Sequence, residues 1–406
     1  MSRIVILILL YLLYFGIGAP NSILGAAWPE MYSDIGADAS WAGILTFAMS
    51  IGMIAASFFG ERYLLRRGTH LSAIDSFLVI GIAILGYAVS QTFVLTLGFS
   101  LLLGLGIGLA EAMLNGLLVR NYSARDMNWV HCLWSIGASA MPLIIGHFIA
   151  KEHSWSKGFA VPGIYEFVLV VLLIMTAVHW RRANDQGMDV TLARRAKHRD
   201  ASQKDSPQKK TLPKAKGLTE ILRVPGSKVM ILSMFCYCSL EMMVILWSTS
   251  YLVFFKGIDS GTAAAWLSLV FVGMTLGRLM VGFLSIKFSN RANIRFGIIF
   301  LVVGVVALLF SKNDAGIAIG LFILGVGMAP FFPCLMHSTG EHFPKDFIQA
   351  MVGIEMTAAF VGNAVLPLIF GGLASAAGYG IFPFVLTGIV AALFISTELI
   401  GRHKMD

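Results

Sequence analysis

Long apolar runs alternate with short polar or basic connections along most of this chain. Twelve of the runs come close to the ~20 residues that a helix needs to cross the hydrocarbon core of a bilayer. Their approximate bounds are 4–28, 41–59, 71–90, 93–118, 128–149, 162–180, 228–255, 263–284, 295–310, 317–337, 349–370 and 380–400. The run 295–310 is short, and we expect its helix to extend at one end. The pattern predicts an all-α membrane protein with twelve transmembrane helices.

The stretch between the sixth and seventh runs, 181–227, is polar and basic and has almost nothing to bury. Such a composition is typical of a flexible linker or a surface helix. We therefore expect an N-terminal six-helix bundle at 1–180, a basic cytoplasmic linker at 181–227 and a C-terminal six-helix bundle at 228–406.

The two halves contain similar short segments. The pairs are 106–108 (Gly-Ile-Gly) with 325–327 (Gly-Val-Gly), and 52–53 with 273–274 (both Gly-Met). The first alignment places Glu111 over Pro330. An internal repeat in a membrane chain is typical of a transporter whose substrate site lies between two pseudo-symmetric halves.

The composition agrees with this class, since 57% of the residues are hydrophobic and only 13% are charged, about half the usual share for soluble proteins. The net charge of +8 comes from basic residues that collect on alternate connections. On one side are Arg3, Arg62, Arg66, Arg67, Arg120, Arg125, the linker, Lys287, Arg291, Arg295, Lys345, Arg402 and Lys404, and on the other are Lys151, Lys157, Lys256 and Lys312. The positive-inside rule then predicts that both termini lie in the cytoplasm. We expect the chain in the inner membrane of a bacterium. The charge reflects this orientation, so we expect no nucleic-acid partner.

Carboxylates interrupt two of the apolar runs. Glu111 and Asn115 are four residues apart and share a helix face. Glu241 lies near the middle of the seventh run. A charge at such a depth costs several kcal/mol, roughly 3 or more, unless it faces protein, water or substrate. Each acid is a candidate proton carrier, and Glu241 can also bind a sugar or a cationic substrate. The alternative for both is a structural hydrogen bond to a neighbouring helix.

Other polar and aromatic residues in the runs are candidates for substrate contact. Together with Glu241 they are Tyr14, Asn21, Asn115, Trp134, Tyr237, Phe331 and Asn363. Tyr and Trp rings have apolar faces and a polar edge, which suits stacking on sugar rings, although helix packing is the alternative. Pro330 and Pro333 predict a broken tenth helix next to Phe331.

Three further residues are candidates for coupling or gating. His131 can relay protons between Glu111 and water, or it can be a packing or gate residue. Arg278 lies inside a membrane run and requires an anion or carbonyl partner. We consider a cytoplasmic gate formed by Arg278 and Glu355, with a structural role for Arg278 as the alternative.

The sequence lacks the motifs that mark ATP-driven transporters, zinc metalloproteases and serine hydrolases. It has no Walker A motif, no H-E-x-x-H and no G-x-S-x-G. Cys132, Cys236, Cys238 and Cys334 fit neither a zinc site nor a disulfide framework and are interpreted as packing residues. We expect no enzyme activity, no metal and no cofactor, with a proton gradient as the energy source.

The arrangement of six plus six runs around a basic central segment resembles the major facilitator superfamily. Arg66-Arg67-Gly68 resembles the end of that family's loop motif, with Leu65 in place of its Asp. A closer resemblance is to the fucose-permease-like sugar:proton symporters. It rests on Glu111 with Asn115, and on the fifth-run segment that begins at Asn128 and includes His131 and Pro142. Fucose permease itself has an Asp in its first helix, where Asn21 is the nearest polar equivalent here.

The resemblance implies transport by alternating access between two rocking halves. We predict proton-coupled uptake of a small, polar, sugar-like solute by a protein that acts as a monomer. The alternative is a proton-coupled antiporter that exports drugs, metabolites or siderophore-like compounds, because a membrane carboxylate can serve either direction.

Overall fold

The structure, a computed structural model, describes residues 2–122, 124–180, 218–343 and 345–400. Within these residues it is built of helices, and twelve segments are long and apolar enough to cross a membrane. The helices of the first six spans are Ser2–Gly18 with Pro20–Asp34, Ala42–Arg67, Thr69–Val89, Phe93–Asn121, Ala124–Glu152 and Trp155–Met175. Those of the last six are Ser227–Phe254, Ser260–Leu284, Asn290–Phe310, Asp314–Met328 with Phe331–His342, Lys345–Ala377 and Phe382–Ile400.

The predicted spans are confirmed, and the short ninth one extends at its start, to Asn290. Of the predicted linker, residues 181–217 lie outside the described residues, and a single turn of helix, Leu218–Ile221, precedes the seventh span. The sides of the helices that face away from the protein carry large apolar residues. Val94 and Phe283, for example, are each 76% exposed. Surfaces of this kind are stable in a lipid bilayer, and the chain is a multi-pass membrane protein.

Proline interrupts the first and tenth spans. In the first span one helix ends at Gly18 and the next begins at Pro20, which has no backbone N–H to continue the ladder. The Asn21 side chain donates a hydrogen bond of 2.9 Å to the Ile17 carbonyl across this break. In the tenth span the break falls at Pro330, as the sequence predicts.

The second and fourth spans of each half pack backbone to backbone. A Cβ atom on Gly104 would lie 1.9 Å from the Met49 carbonyl oxygen, and a Cβ on Gly325 would lie 1.9 Å from that of Val270. No side chain fits at such distances, so glycine is required at both positions. The residues of the second contact follow those of the first by 221 positions.

A reciprocal contact repeats with the same spacing. A Cβ on Gly52 would lie 2.3 Å from the Leu101 oxygen, and one on Gly273 would lie 2.1 Å from the Phe322 oxygen. The alignment of 52–53 with 273–274 is therefore correct. The alignment of 106–108 with 325–327 is wrong by two residues, because close contacts and not the Gly-x-Gly pattern define the register. The counterpart of Glu111 is consequently Phe332 and not Pro330.

The closest backbone contacts between the two halves lie toward one end of the molecule. Because twelve spans alternate in direction, both chain ends lie at the same end, here called the terminal end, and the opposite one is the far end. Glycine contacts between the halves lie in the part of the spans toward the far end, and they pair Gly25 with Ile245, Gly43 with Leu368, Gly371 with Ser40, and Gly146 with Gly261. The far end is thus closed by backbone contacts between the halves.

Candidate substrate site between the two halves

In the N-terminal half, the predicted residues gather around Tyr14. The Tyr14 hydroxyl donates a hydrogen bond of 2.7 Å to Oδ1 of Asn115, which joins the first span to the fourth. Glu111 lies one helical turn from Asn115 and is close enough for its charge to act on Tyr14. The His131 ring of the fifth span meets Tyr14 edge-on, with 5.4 Å between ring centroids. Three spans therefore bring four of the predicted residues together.

In the C-terminal half, the equivalent gathering point is Tyr237. Its ring stacks on Phe331, just after the break in the tenth span, with 5.6 Å between centroids and 16° between planes. Glu241 lies one turn further along the seventh span, and its charge acts on Tyr237. The Tyr237 hydroxyl is buried close to the Glu241 carboxyl group, although no described residue meets it with good hydrogen-bond geometry. A buried hydroxyl in this state can bind a substrate or a water molecule.

Arg278 joins the two groups across the interface between the halves. From the eighth span, its Nη1 donates a hydrogen bond of 2.6 Å to Oγ of Ser135 in the fifth. Its guanidinium lies 5.6 Å from the centroid of the Trp134 ring. Its positive charge is close enough to act on Glu241 in one half and on His131 in the other. We call the set Tyr14, Glu111, Asn115, His131, Trp134, Ser135, Tyr237, Glu241, Arg278 and Phe331 the interface cluster.

The predicted gate pair of Arg278 with Glu355 is not formed. Glu355 is fully buried and accepts hydrogen bonds of 2.7 and 2.9 Å from the Thr339 hydroxyl, which lies within its own half. Arg278 instead reaches into the opposite half, toward Ser135. Among the described residues no ion pair includes either of the two side chains.

Two other candidates are not joined to the interface cluster by any described side-chain contact. The Asn21 side-chain amide donates a hydrogen bond to the Ile17 carbonyl in its own span. Asn363 has a buried Oδ1 with no partner in the described part of the chain. The first-span residues near Asn21 serve packing. A Cβ on Gly18 would lie 2.0 Å from the Trp134 oxygen, and the Trp28 indole donates to the Ala39 carbonyl at 2.6 Å.

The sequence-based predictions did not include Ser135 and Glu166 among the candidate site residues. Ser135 has no distinguishing pattern, because its importance comes from its partner in the other half. Glu166 does carry the signal that marked Glu241, a single carboxylate in an apolar run. It is fully buried beside Gly16 of the first span and Gly81 of the third, and both its carboxyl oxygens are without a hydrogen-bond partner among the described residues.

A separate cavity of about 890 Å³ opens at the terminal end of the C-terminal half. Its lining includes Arg291, His337, Glu341 and Glu398. Glu398 of the twelfth span accepts hydrogen bonds from Arg291 and from Arg295, so these two basic residues are already paired. No group of three or more possible ligands in the described part of the chain could hold a metal ion.

The chain matches the family described as Major Facilitator Superfamily over residues 10–314 and 229–400. These two matches together span most of the sequence. With its twelve spans and its two repeated halves, the chain belongs to this superfamily and is a membrane transporter.

Curated relatives are distant. Bypass of stop codon protein 6 of Saccharomyces cerevisiae is 25% identical over 72% of this chain and 61% of its own, so the chain spans less than two thirds of that relative. The glucose/mannose transporter GlcP of Bacillus subtilis is 19% identical over 89% of this chain and 86% of its own. The cis,cis-muconate transport protein of Acinetobacter baylyi is 25% identical over 37% of this chain and 38% of its own.

Solved structures share the fold at low identity. A bacterial homolog of the human lysosomal transporter Spinster, in an inward-facing and occupied conformation, aligns with a TM-score of 0.69 and 14% identity over 99% of this chain and 97% of that one. The peptide transporter POT in complex with alafosfalin aligns with a TM-score of 0.71 and 14% identity over 98% and 96%. These likenesses concern the fold alone.

Proposed function

We propose that this transporter takes up a small, polar, sugar-like solute together with protons, as a monomer in the inner membrane of a bacterium with both termini in the cytoplasm. The observation that carries the proposal is the interface cluster, in which Arg278 bridges the halves near Glu241 and the other carboxyl group, Glu111, lies near Tyr14 in the opposite half. The binding of a solute or a proton there acts directly on the contact between the halves.

Glu111 and Glu241 are the proposed proton carriers. Both lie within membrane spans, and neither forms an ion pair among the described residues. An ionised carboxylate in this setting is costly, and protonation removes the cost. Protonation therefore changes the relative stability of the conformations that bury or expose the group, which is how a proton gradient can drive a cycle.

The lining of the interface cluster suits a hydroxylated solute. Tyr14, Asn115 and Tyr237 supply hydrogen-bonding groups, and Trp134 and Phe331 supply ring faces. The Bacillus subtilis relative is a glucose/mannose transporter, and this likeness also supports a sugar-like solute. The resemblance of the fourth and fifth spans to the fucose-permease-like symporters points in the same direction.

Alternating access follows from the contacts between the halves. In the proposed orientation the far end is the outer one, and it is closed by the glycine contacts of spans 1, 2, 5 and 8 with their partners. Rocking of the halves about the interface cluster would open that end and close the terminal end.

The test is external pH in lightly buffered, de-energised cells that express the protein, as sugars and polyols are added one at a time. We expect alkalinisation specific to one solute, with loss of accumulation in Glu111→Gln and Glu241→Gln. The matched control is Glu152→Gln, since Glu152 is an exposed residue paired with Lys157.

Full accumulation in both buried variants would contradict the assignment of the proton carriers. If no solute changes the pH although the protein is present in the membrane, uptake by symport is contradicted. That result would favour proton-coupled export of drugs, metabolites or siderophore-like compounds.

A further inference from the structure

Arg278 is a cation in a membrane span without an anion bound to it. Among the described residues, no carboxylate lies within 4.0 Å of its guanidinium. Its hydrogen-bond partner there is the neutral Ser135 hydroxyl. By contrast, Arg67 binds Asp75, and Arg291 and Arg295 bind Glu398. Arg278 is partly buried, and a guanidinium within a membrane span normally has an anionic partner.

The guanidinium retains free binding capacity. It has five N–H donors in a planar fork that matches a carboxylate through two parallel hydrogen bonds. One nitrogen is used by Ser135. The group lies over the Trp134 ring, 5.6 Å from its centroid, which holds it at the interface between the halves through a cation–π contact.

Groups from four other spans are connected with this cation, directly or through Tyr14. Two of these spans place groups within reach of its charge, namely Glu241 and Tyr237 from the seventh span and His131 and Cys132 from the fifth, and through Tyr14 the fifth-span group is joined to the first and fourth spans. Arg278 is the permanent positive charge of this set. A single cation balances a single negative charge, which fits a monocarboxylate better than a phosphate ester with nearly two charges.

We propose that the substrate is a hydroxylated organic monocarboxylate whose carboxylate binds the Arg278 guanidinium. The proposal deepens the function proposed above and rests on it. The hydroxyl groups of such a solute would meet Tyr14, Asn115 and Tyr237, which lie on either side of the interface. A carboxylate on Arg278 also adds a negative charge next to Glu241. Uptake of one proton by Glu241 then leaves the guanidinium and the bound carboxylate as a neutral pair, so the chemistry of the substrate itself accounts for proton coupling.

The experiment measures binding to the full-length protein in lipid nanodiscs by calorimetry, with pairs of probes that differ only in the acidic group. The pairs are gluconate with glucitol, and glucuronate with glucose. We expect the acid of at least one pair to bind at least about ten-fold more tightly than its neutral partner, the usual range for charge-assisted hydrogen bonds. Glucose 6-phosphate is included to distinguish a phosphate from a carboxylate.

Three variants test the role of Arg278. Arg278→Gln should remove the preference for the acid, and Arg278→Lys should retain part of it, because an ammonium keeps the charge but not the fork. Ser135→Ala removes only a neighbour and should change acid binding by less than about ten-fold. Arg295→Gln, on the next span, is the control and should bind like the wild type. The apparent melting temperature shows whether each variant is folded.

Equal binding of acid and neutral partner in both pairs, preference for the phosphate, absence of binding by either acid, or an acid preference that survives in folded Arg278→Gln would each overturn the proposal. Failure of the carboxylate proposal can be distinguished from failure of the proposed transport function. Solute-dependent alkalinisation with a neutral sugar would keep proton symport and exclude the carboxylate. Arg278-dependent binding of the acid without proton movement would keep the carboxylate as the group that binds Arg278 and would contradict proton symport.

Discussion

The second and fourth spans of the N-terminal half repeat in the C-terminal half in their packing but not in their polar residues. Gly52 and Gly104 recur 221 positions later as Gly273 and Gly325, with the same backbone contacts. Glu111 recurs as Phe332, and the position that corresponds to Arg278 is Ser57. Close packing is thus the symmetric part of the molecule, and the chemistry is the asymmetric part.

This difference has a physical origin. A helix contact below 3 Å from a Cβ permits one residue type only, so both halves retain glycine where spans cross. The polar side chains of the interface cluster make no such backbone contact and are free to diverge. Because of this asymmetry, one half contributes Tyr14, Glu111 and Asn115 to the interface cluster and the other contributes Arg278 and Glu241, so the two halves present different groups to each other.

The largest expected effect comes from filling a contact within one half. Gly104→Val and Gly325→Val should both destabilise the protein, by about 3 kcal/mol or more, because the clash is with backbone and cannot be relieved by a rotamer change. The measurement is the yield and apparent melting temperature of the purified protein. Gly98→Val is the control, since no atom lies within 4 Å of its Cβ position. Normal stability of either glycine variant would contradict the packing symmetry.

A large effect on function without loss of stability is expected at the asymmetric positions. Glu111→Gln preserves shape and hydrogen bonding but cannot ionise, so it should abolish accumulation and leave the melting temperature close to that of the wild type. Accumulation assays and melting curves on the same preparation separate the two properties. A variant that melts early and regains transport at low temperature would instead indicate a structural role for Glu111.

An intermediate effect is expected where the same kind of clash lies between the halves. A Cβ on Gly25 would lie 2.2 Å from the Ile245 oxygen, but here the halves can separate to relieve it. Gly25→Val should therefore hold the far end open while the protein remains folded. Reaction of a cysteine introduced at the far end with a membrane-impermeant maleimide should rise several-fold. Gly372→Val, at a position with open space on the same side of the molecule, should leave the reaction rate unchanged.

The smallest effect is expected at the ion pairs of the terminal end. Asp75 binds Arg67 in the N-terminal half, and Glu398 binds Arg291 and Arg295 in the C-terminal half, with the arginines about half exposed. Exposed pairs contribute about 0–1 kcal/mol and weaken with salt. Asp75→Asn and Glu398→Gln should therefore shift the melting temperature slightly, and less at high ionic strength. A large shift that is independent of salt would show that these groups do more than pair at the surface.

The fold was largely predictable because membrane spans depend on composition over about 20 residues, a signal that single substitutions do not remove. The start of the ninth span and the break at Pro330 follow from the same reasoning. The register of the internal repeat could not be predicted from the sequence in this way. A Gly-x-Gly pattern fits two alignments, and only the contacts of Gly104 and Gly325 distinguish them.

The candidate site was predictable residue by residue but not in its pairings. Tyr14, Asn115, Glu241 and Arg278 stand out because polar groups are costly in a bilayer. Which of them meet depends on the angle and separation of spans that are far apart in sequence. Arg278 meets Ser135 and not Glu355 for this reason, and a serine in a helix carries no signal of such a partner.

Proteoliposome transport with Glu241→Gln shows whether solute and proton act through the interface cluster. Two modes are compared with the same radiolabelled solute, namely exchange at equal pH and accumulation driven by a pH gradient. We expect the variant to retain exchange, because the site still binds the solute and the halves still rock. We expect it to lose accumulation driven by the pH gradient. If pH-driven accumulation in Glu241→Gln and in Glu111→Gln equals that of the wild type, the interface cluster is not where the proton is carried and the account is wrong.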